Sequence, residues 1–209
     1  MHQSSMEAMQ GFVDQYLAER RGQRLRVLDV GSMNVNGSYR TLFEQPGWTY
    51  TGLDLEPGPG VDYVVESPYT WRNVRASSYD VVITGQAFEH IEFPWITVLH
   101  ATRALVPGGL LCMIVPSGGE EHRYPVDCWR FYPDGVAALA RWGDLEPLSA
   151  TTAWPGTATY PDNSERWADT VLVARKPVVR SSLRRVAGNV KRAALVRMMA
   201  AQGVRRHAV

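Results

Sequence analysis

The chain has 209 residues, 45% hydrophobic and 21% charged, with a formal net charge of +1. That length suits one α/β domain with a single core and is too short for two sizeable ones, and the composition is that of a globular protein rather than a disordered or collagenous one. No apolar run approaches the roughly 20 residues of a membrane span, and the two cysteines, Cys112 and Cys128, form neither a CxxC pair nor a metal-ligand cluster.

The first 22 residues lack the charged-then-apolar layout of a signal peptide, so the expected compartment is the cytoplasm. They read instead as an amphipathic helix over 4–21, with Phe12, Val13, Tyr16 and Leu17 on one face. Short apolar runs then alternate with helical patterns, the signature of a mostly parallel sheet covered on both faces. The predicted strands are Leu25–Val30, Thr49–Leu53, Tyr63–Val65, Asp80–Thr84, Gly109–Val115, Leu145–Thr151 and Thr170–Ala174. Helices are predicted over 37–45, 92–105 and 133–142. Leu105-Val106-Pro107-Gly108-Gly109 reads as a helix stop before the fifth strand. Two long loops interrupt the alternation, Pro116–Tyr132 and Trp154–Arg166. The first is polar and aromatic, and long loops on a rigid sheet are where sites collect.

Residues 1–176 carry 14 basic and 21 acidic groups, whereas 177–209 carry eight basic groups and no acid. We therefore divide the chain into an acidic body, 1–176, and a basic amphipathic tail, 177–209. In the tail Leu183, Val186, Ala187, Val190, Ala194 and Met198 fall at helical spacing. Such a helix could pack on the body, on a second subunit of a homodimer, or on an anionic membrane surface. It has no interleaved aromatics for base stacking, so nucleic acid is not an expected partner.

The first strand runs as Val27-Leu28-Asp29-Val30 into Gly31-Ser32-Met33-Asn34-Val35-Asn36-Gly37-Ser38. This is neither GxGxxG nor GxxxxGK[ST], so neither a dinucleotide pyrophosphate nor a triphosphate cradle is indicated. Gly31 would let a ligand approach the backbone, and Asp29 offers an anionic acceptor at the strand end. The second strand ends in Gly52-Leu53-Asp54-Leu55, where an acid can accept from both ribose hydroxyls. The third ends near Glu66, which could accept from an adenine amino group.

Taken in order, VLDVGS, GLD, YDVVITGQAFEHI and LVPGGLLCMIVPS resemble the class I S-adenosylmethionine (SAM)-dependent methyltransferases, in their small type 11-like form, over about residues 25–116. Met33 and Val35 stand where the family pattern has glycine. The resemblance implies a Rossmann-like, seven-stranded, mostly parallel sheet flanked by helices, with the last strand antiparallel. It also implies SAM as cofactor, held by Asp29, Gly31, Ser32, Asp54, Leu55, Glu66 and Gln86.

Gln86-Ala87-Phe88-Glu89-His90 resembles the ExxEH metal site of some quinone-biosynthesis O-methyltransferases, with Gln86 replacing the first Glu. That implies Glu89 and His90 as ligands for Mg²⁺, or alternatively as a helix start that orients a loop. His122-Arg123-Tyr124-Pro125-Val126-Asp127-Cys128-Trp129-Arg130-Phe131 resembles a segment of methyltransferases of polysaccharide and sugar-containing natural-product pathways, including enzymes that methylate mannosides of methylmannose polysaccharides. A sugar hydroxyl needs a base, and His122, with Asp127 and His90 beside it, is the expected catalytic group. Tyr124 and Trp129 could stack on a pyranose and Arg130 could bond its hydroxyls. Alternatively Asp127 and Arg130 form an internal salt bridge. The expected acceptor is a sugar or oligosaccharide; the alternatives are a non-sugar small molecule or, further off, RNA.

Overall fold

The structure, a computed structural model, describes residues 2–178, 186–187, 190–191, 193–195 and 197–198. Seven strands form one sheet: β1 (Leu25–Val30), β2 (Trp48–Asp54), β3 (Tyr63–Val64), β4 (Tyr79–Gly85), β5 (Leu105–Pro116), β6 (Glu146–Thr152) and β7 (Asp169–Arg175). Their spatial order is β3-β2-β1-β4-β5-β7-β6. The pairings from β3 across to β5 are parallel, and β7 runs antiparallel to both of its neighbours. This is the seven-stranded sheet with an antiparallel last strand that the sequence resemblance implies.

Both faces of the sheet are buried, which is why its central strands read as continuous apolar runs. Val27, Val81, Ile83, Cys112 and Ile114 face one way and pack on Met9, Phe12 and Val13 of α1 (Gln3–Tyr16). Leu28, Val82, Leu111 and Met113 face the other, against Ile96, Val98 and Ala101 of α2 (Pro94–Ala104) and Val136 and Leu139 of α3 (Pro133–Trp142).

Three predicted elements differ in detail. The first helix stops at Tyr16 and continues only as a 3₁₀ turn over Ala18–Arg20. The helix expected over 37–45 is a five-residue 3₁₀ turn, Tyr39–Phe43, capped by Ser38 Oγ accepting from the Arg40 N–H. The Pro-Gly-Gly segment lies inside β5 rather than before it. α2 ends at Ala104, and Lys176 Nζ meets its last turn, donating to the carbonyls of Thr102 and Leu105. A cation on a helix C-terminus satisfies both its orphan carbonyls and its dipole.

Among the described tail residues, Val186, Val190 and Met198 are exposed. Of the partners open to the stripe, the body does not cover it at these positions; Leu183 lies outside the described residues. Contact is made instead by Leu195, which packs on the core, and by Lys191. Its ammonium lies 3.2 Å from the centroid of the Trp142 ring and donates to the Trp142 carbonyl. Among the described residues no helix is long and apolar enough to cross a membrane.

Gly85 ends β4 against the fully buried Tyr39 ring, where a Cβ would stand 1.9 Å from Tyr39 Oη. Tyr39 is pinned there by a 2.5 Å hydrogen bond to Ser5. Gly85→Ala should therefore destabilise the fold by about 1–3 kcal/mol through overpacking, measurable as a lowered urea midpoint.

Candidate active site

The order of the strands reverses between β1 and β4. Their connections depart in opposite directions along the sheet, leaving a crevice at their carboxyl ends. A cavity of about 210 Å³ opens there, lined by Gly31, Asp54, Leu55, Gln86 and His90, with Met33, Trp71, Ile91 and Tyr124 adding apolar walls.

Gly31 has φ +82°, and a Cβ on it would stand 2.5 Å from the Ala87 Cβ. Only glycine, which has no Cβ, accommodates both that backbone and so close an approach. The following turn is tied to the loop after β2: the Asn34 N–H donates to the Pro59 carbonyl, and Asn34 Oδ1 accepts from the Gly37 N–H. The Met33 sulfur lies 2.3 Å from where a Gly58 Cβ would be, so the methionine packs flat over that glycine. Asp54 accepts from two backbone N–H groups, those of Met33 (2.8 Å) and Leu55 (2.7 Å). Each carboxylate oxygen keeps a lone pair for a ligand. Burial nevertheless raises its pKa, with these two hydrogen bonds working against the rise.

Gln86 takes the left-handed conformation, φ +53°, a strained choice for a non-glycine residue and one that clusters at functional sites. Its backbone N–H donates to the Ile114 carbonyl and its side-chain amide to Asp169 (2.9 Å). Asp169 in turn accepts from Ser4 Oγ at 2.7 Å. Ser4, Ser5, Gln86 and Asp169 thus join the first turn of α1 to the start of β7 beneath the cavity. The sequence reading missed this network. Its signal was two adjacent serines placed on a helix face that is otherwise apolar.

Three of the expected cofactor residues lie outside the cavity lining. Asp29 is buried within the sheet, where it accepts from the Tyr50 hydroxyl on β2, while its Oδ1 has no hydrogen-bond partner. Burial lifts its pKa to about 7. Ser32 is buried beneath the second strand, with Oγ 2.6 Å from where a Gly52 Cβ would be. Glu66 is half-exposed and lies 3.8 Å from Arg72, because the strand before it, β3, is only two residues long and ends at the sheet edge.

A second cluster borders the cavity. The loop 117–132 folds back so that the Cys128 N–H donates to the Glu89 carbonyl at 2.7 Å. His90 Nδ1 lies 2.6 Å from the Val126 carbonyl. A carbonyl can only accept, so Nδ1 carries the proton and Nε2 keeps its lone pair. Glu89 is wholly buried, and neither carboxylate oxygen has a hydrogen-bond partner. Desolvation pushes its pKa up to about 8. Glu89, His90 and His122 each present one ligand atom, all within 4.8 Å of one another. The His122 ring stands edge-on to His90, centroids 5.0 Å apart, and tilts against Trp167 at 4.6 Å.

Asp127 and Arg130, expected among the groups that meet the acceptor, are bound to each other in a two-pronged salt bridge of 2.6 and 2.8 Å. Asp127 also accepts from the His122 backbone N–H at 2.7 Å and lies 3.5 Å from His122 Nδ1. The pair therefore fixes the loop and holds His122 from behind. Trp129 spends its indole N–H on the Ile91 carbonyl, 3.0 Å away, and sets its ring against Trp95. Tyr124 is exposed and lines the cavity mouth. His100, inside α2, has Nε2 2.8 Å from the Tyr69 carbonyl and packs on Trp71, a structural role.

Residues 28–113 match a family model described as a methyltransferase domain. No curated protein sequence matches the chain. Among solved structures, the chain resembles the 1,6-didemethyltoxoflavin-N1-methyltransferase of Burkholderia thailandensis, crystallised with its substrate and S-adenosylhomocysteine: TM-score 0.62, 17% identity, 83% of this chain and 78% of that one. It also resembles the [4+2]-cyclase SpnF, with TM-score 0.58, 18% identity and coverage of 83% and 82%. A Galdieria sulphuraria protein described as a sarcosine dimethylglycine methyltransferase gives TM-score 0.59 and 16% identity over 81% and 86%. At these identities the likenesses establish the fold. It is a seven-stranded sheet flanked by helices, the fold these proteins share, and the match to the methyltransferase-domain model falls on the segment from β1 into β5.

The guanidinium of Arg130 beside Asp127 holds that carboxyl down at about 2. A depressed carboxylate stabilises the fold at pH above its ordinary range, and that stability is lost as pH falls toward 2. The stability gap between the native protein and Asp127→Asn should be full above pH 5, about 2 kcal/mol for this shift, and should close between pH 4 and 2 in urea titrations.

Proposed function

We propose that this protein is a SAM-dependent O-methyltransferase that methylates a sugar hydroxyl, a mannoside or related glycan. The observation that supports this best is His122, held by the Asp127–Arg130 clasp beside His90 and Glu89, next to the crevice between β1 and β4. An alcohol is a poor nucleophile until a base takes its proton, and this corner of the site is built from bases.

In this reading Gly31, Asp54, Leu55 and Gln86 line the SAM site, with Asp54 accepting from the ribose hydroxyls. Asp29 and Ser32 support the turn from below. When bound, SAM supplies an electrophilic methyl on a sulfonium. The acceptor oxygen forms its bond to carbon as the carbon–sulfur bond breaks, and the electron pair stays on sulfur. The hydroxyl proton passes to His122. Asp127 accepts from the His122 backbone N–H, and together with Arg130 it holds the ring from its Nδ1 side. Tyr124, exposed at the cavity mouth, offers its ring face to a pyranose.

The donor set of Glu89, His90 and His122 fits a divalent cation. A wholly buried carboxylate without a hydrogen bond is costly to ionise unless a cation meets it, and the Val126 carbonyl already orients His90 as outer-shell partners of metal ligands do. A cation there would take up the His122 lone pair and would itself activate the acceptor hydroxyl as a Lewis acid, in place of proton transfer to His122. Two imidazoles with one carboxylate suit Mn²⁺, Fe²⁺ or Zn²⁺ better than Mg²⁺, which favours oxygen.

Labelled SAM assayed against free, alkylated and oligomeric sugars and against phenols tests the reading. Transfer to sugars is expected; transfer to phenols alone overturns it and favours the non-sugar alternative. His122→Ala should lower kcat by roughly 10²–10⁴-fold, the range of general-base catalysis, with SAM affinity by calorimetry unchanged. Chelator treatment should reduce activity and Mn²⁺ should restore it; full activity in chelator removes the cation from the reaction.

A further inference from the structure

The same sheet edge carries an aromatic pair that the reaction does not use. Tyr132 immediately precedes α3, and Trp154 lies two residues beyond β6. Their ring centroids are 6.1 Å apart and their planes are inclined by 32°. Both stay in water, 56% and 49% exposed.

The backbone beneath them is fixed. The Phe131 carbonyl accepts from Ser117 Oγ and from Thr170 Oγ1, at 2.5 and 2.9 Å. Thr170 Oγ1 also hydrogen-bonds Thr152 Oγ1 at 2.6 Å, and the Ala153 N–H donates to the Asp169 carbonyl. The Trp154 carbonyl closes its own turn by accepting from Thr157. The backbone that carries the two rings is thus fixed before any ligand arrives, and the rings lean on each other, which lowers the ordering entropy of binding them.

The surroundings select the kind of ligand. Residues 149–164, SATTAWPGTATYPDNS, are rich in hydroxyls and hold one formal charge, Asp162. With one carboxylate and no cation that stretch offers nothing to attract an anion; its hydroxyls suit an uncharged polyol lying on an aromatic face. Position sets its size. β6 is three strands from β4 in the sheet order, on the order of 14 Å at normal strand spacing. That is farther than one sugar ring reaches.

We propose that Tyr132 and Trp154 form a distal subsite that stacks on a pyranose of an oligosaccharide whose methylated residue occupies the cavity. This rests on the sugar-acceptor reading and adds that the acceptor is oligomeric.

The test compares methyl α-mannoside with a mannotetraoside in steady-state transfer. The tetraoside should have the lower KM. Trp154→Ala and Tyr132→Ala should each raise that KM by about tenfold, the equivalent of about 1.4 kcal/mol, leaving kcat and the monosaccharide KM unchanged. Trp154→Phe should recover most of the loss. Equal KM values for the two acceptors, or a tetraoside KM indifferent to both variants, overturn the subsite while leaving sugar methylation standing. Equilibrium titration with the mannotetraoside, in the presence of S-adenosylhomocysteine, separates the two ideas if no sugar is methylated. Binding lost in Trp154→Ala upholds the subsite and removes only the reaction; absence of binding removes the subsite. If Trp154→Ala turns a dimer into a monomer without altering tetraoside KM or binding, the pair is a subunit contact and the proposal falls.

Discussion

The close approach of β1 and β4 at the point where the sheet reverses its order is the constraint on which the site depends. Two parallel neighbours whose connections leave in opposite directions cannot both be covered at their ends, and the gap between them is unavoidable. Gly31 and Ala87 face each other across it with no room for another carbon. Three of the groups that line the cavity hang from these two turns: Asp54 through its bond to Met33, Gln86 through its strained backbone, His90 through the turn that follows.

On that frame the chain places groups that could not stay where they are on their own account. Glu89 is a carboxylate shut away from water without a hydrogen bond, and it becomes intelligible only with the imidazoles beside it. Asp127 is the opposite case. Its charge is fully satisfied by Arg130 and the His122 backbone, and its energy goes into rigidity. The two carboxylates come within 4.8 Å and 3.5 Å of the same histidine, His122, yet one is driven toward its neutral form and the other is locked in its charged one. Sites that do chemistry commonly hold such opposed pairs.

The strands were legible in the sequence because burial on both faces leaves uninterrupted runs such as Val81-Val82-Ile83, and the predicted limits lie within a few residues of those observed. The helices over 37–45 and beyond Tyr16 were overcalled, since 3₁₀ turns share the apolar spacing of longer helices. The end of α2 lies within one residue of the expected one, but the hold of Lys176 on its last turn joins residues more than seventy apart, and no local pattern could report it. At the site, Gly31, Asp54 and Gln86 were legible as residues at strand ends. The Ser4–Asp169–Gln86 network was not, because it joins three distant segments through short polar side chains that read as surface residues. Asp127 and Arg130 could be read as a pair or as two contacts; only the fold of the loop distinguishes these.

The placement of β7 has a consequence for how the molecule comes to exist on the ribosome. The last of the described strands enters between β5 and β6, and one end of it carries the carboxylate that anchors both the first helical turn and Gln86. A nascent chain lacking it has an unzipped sheet with two bare edges and a crevice whose floor is missing. A chain halted before β7 therefore exposes sticky strand edges, ready templates for pairing with other chains.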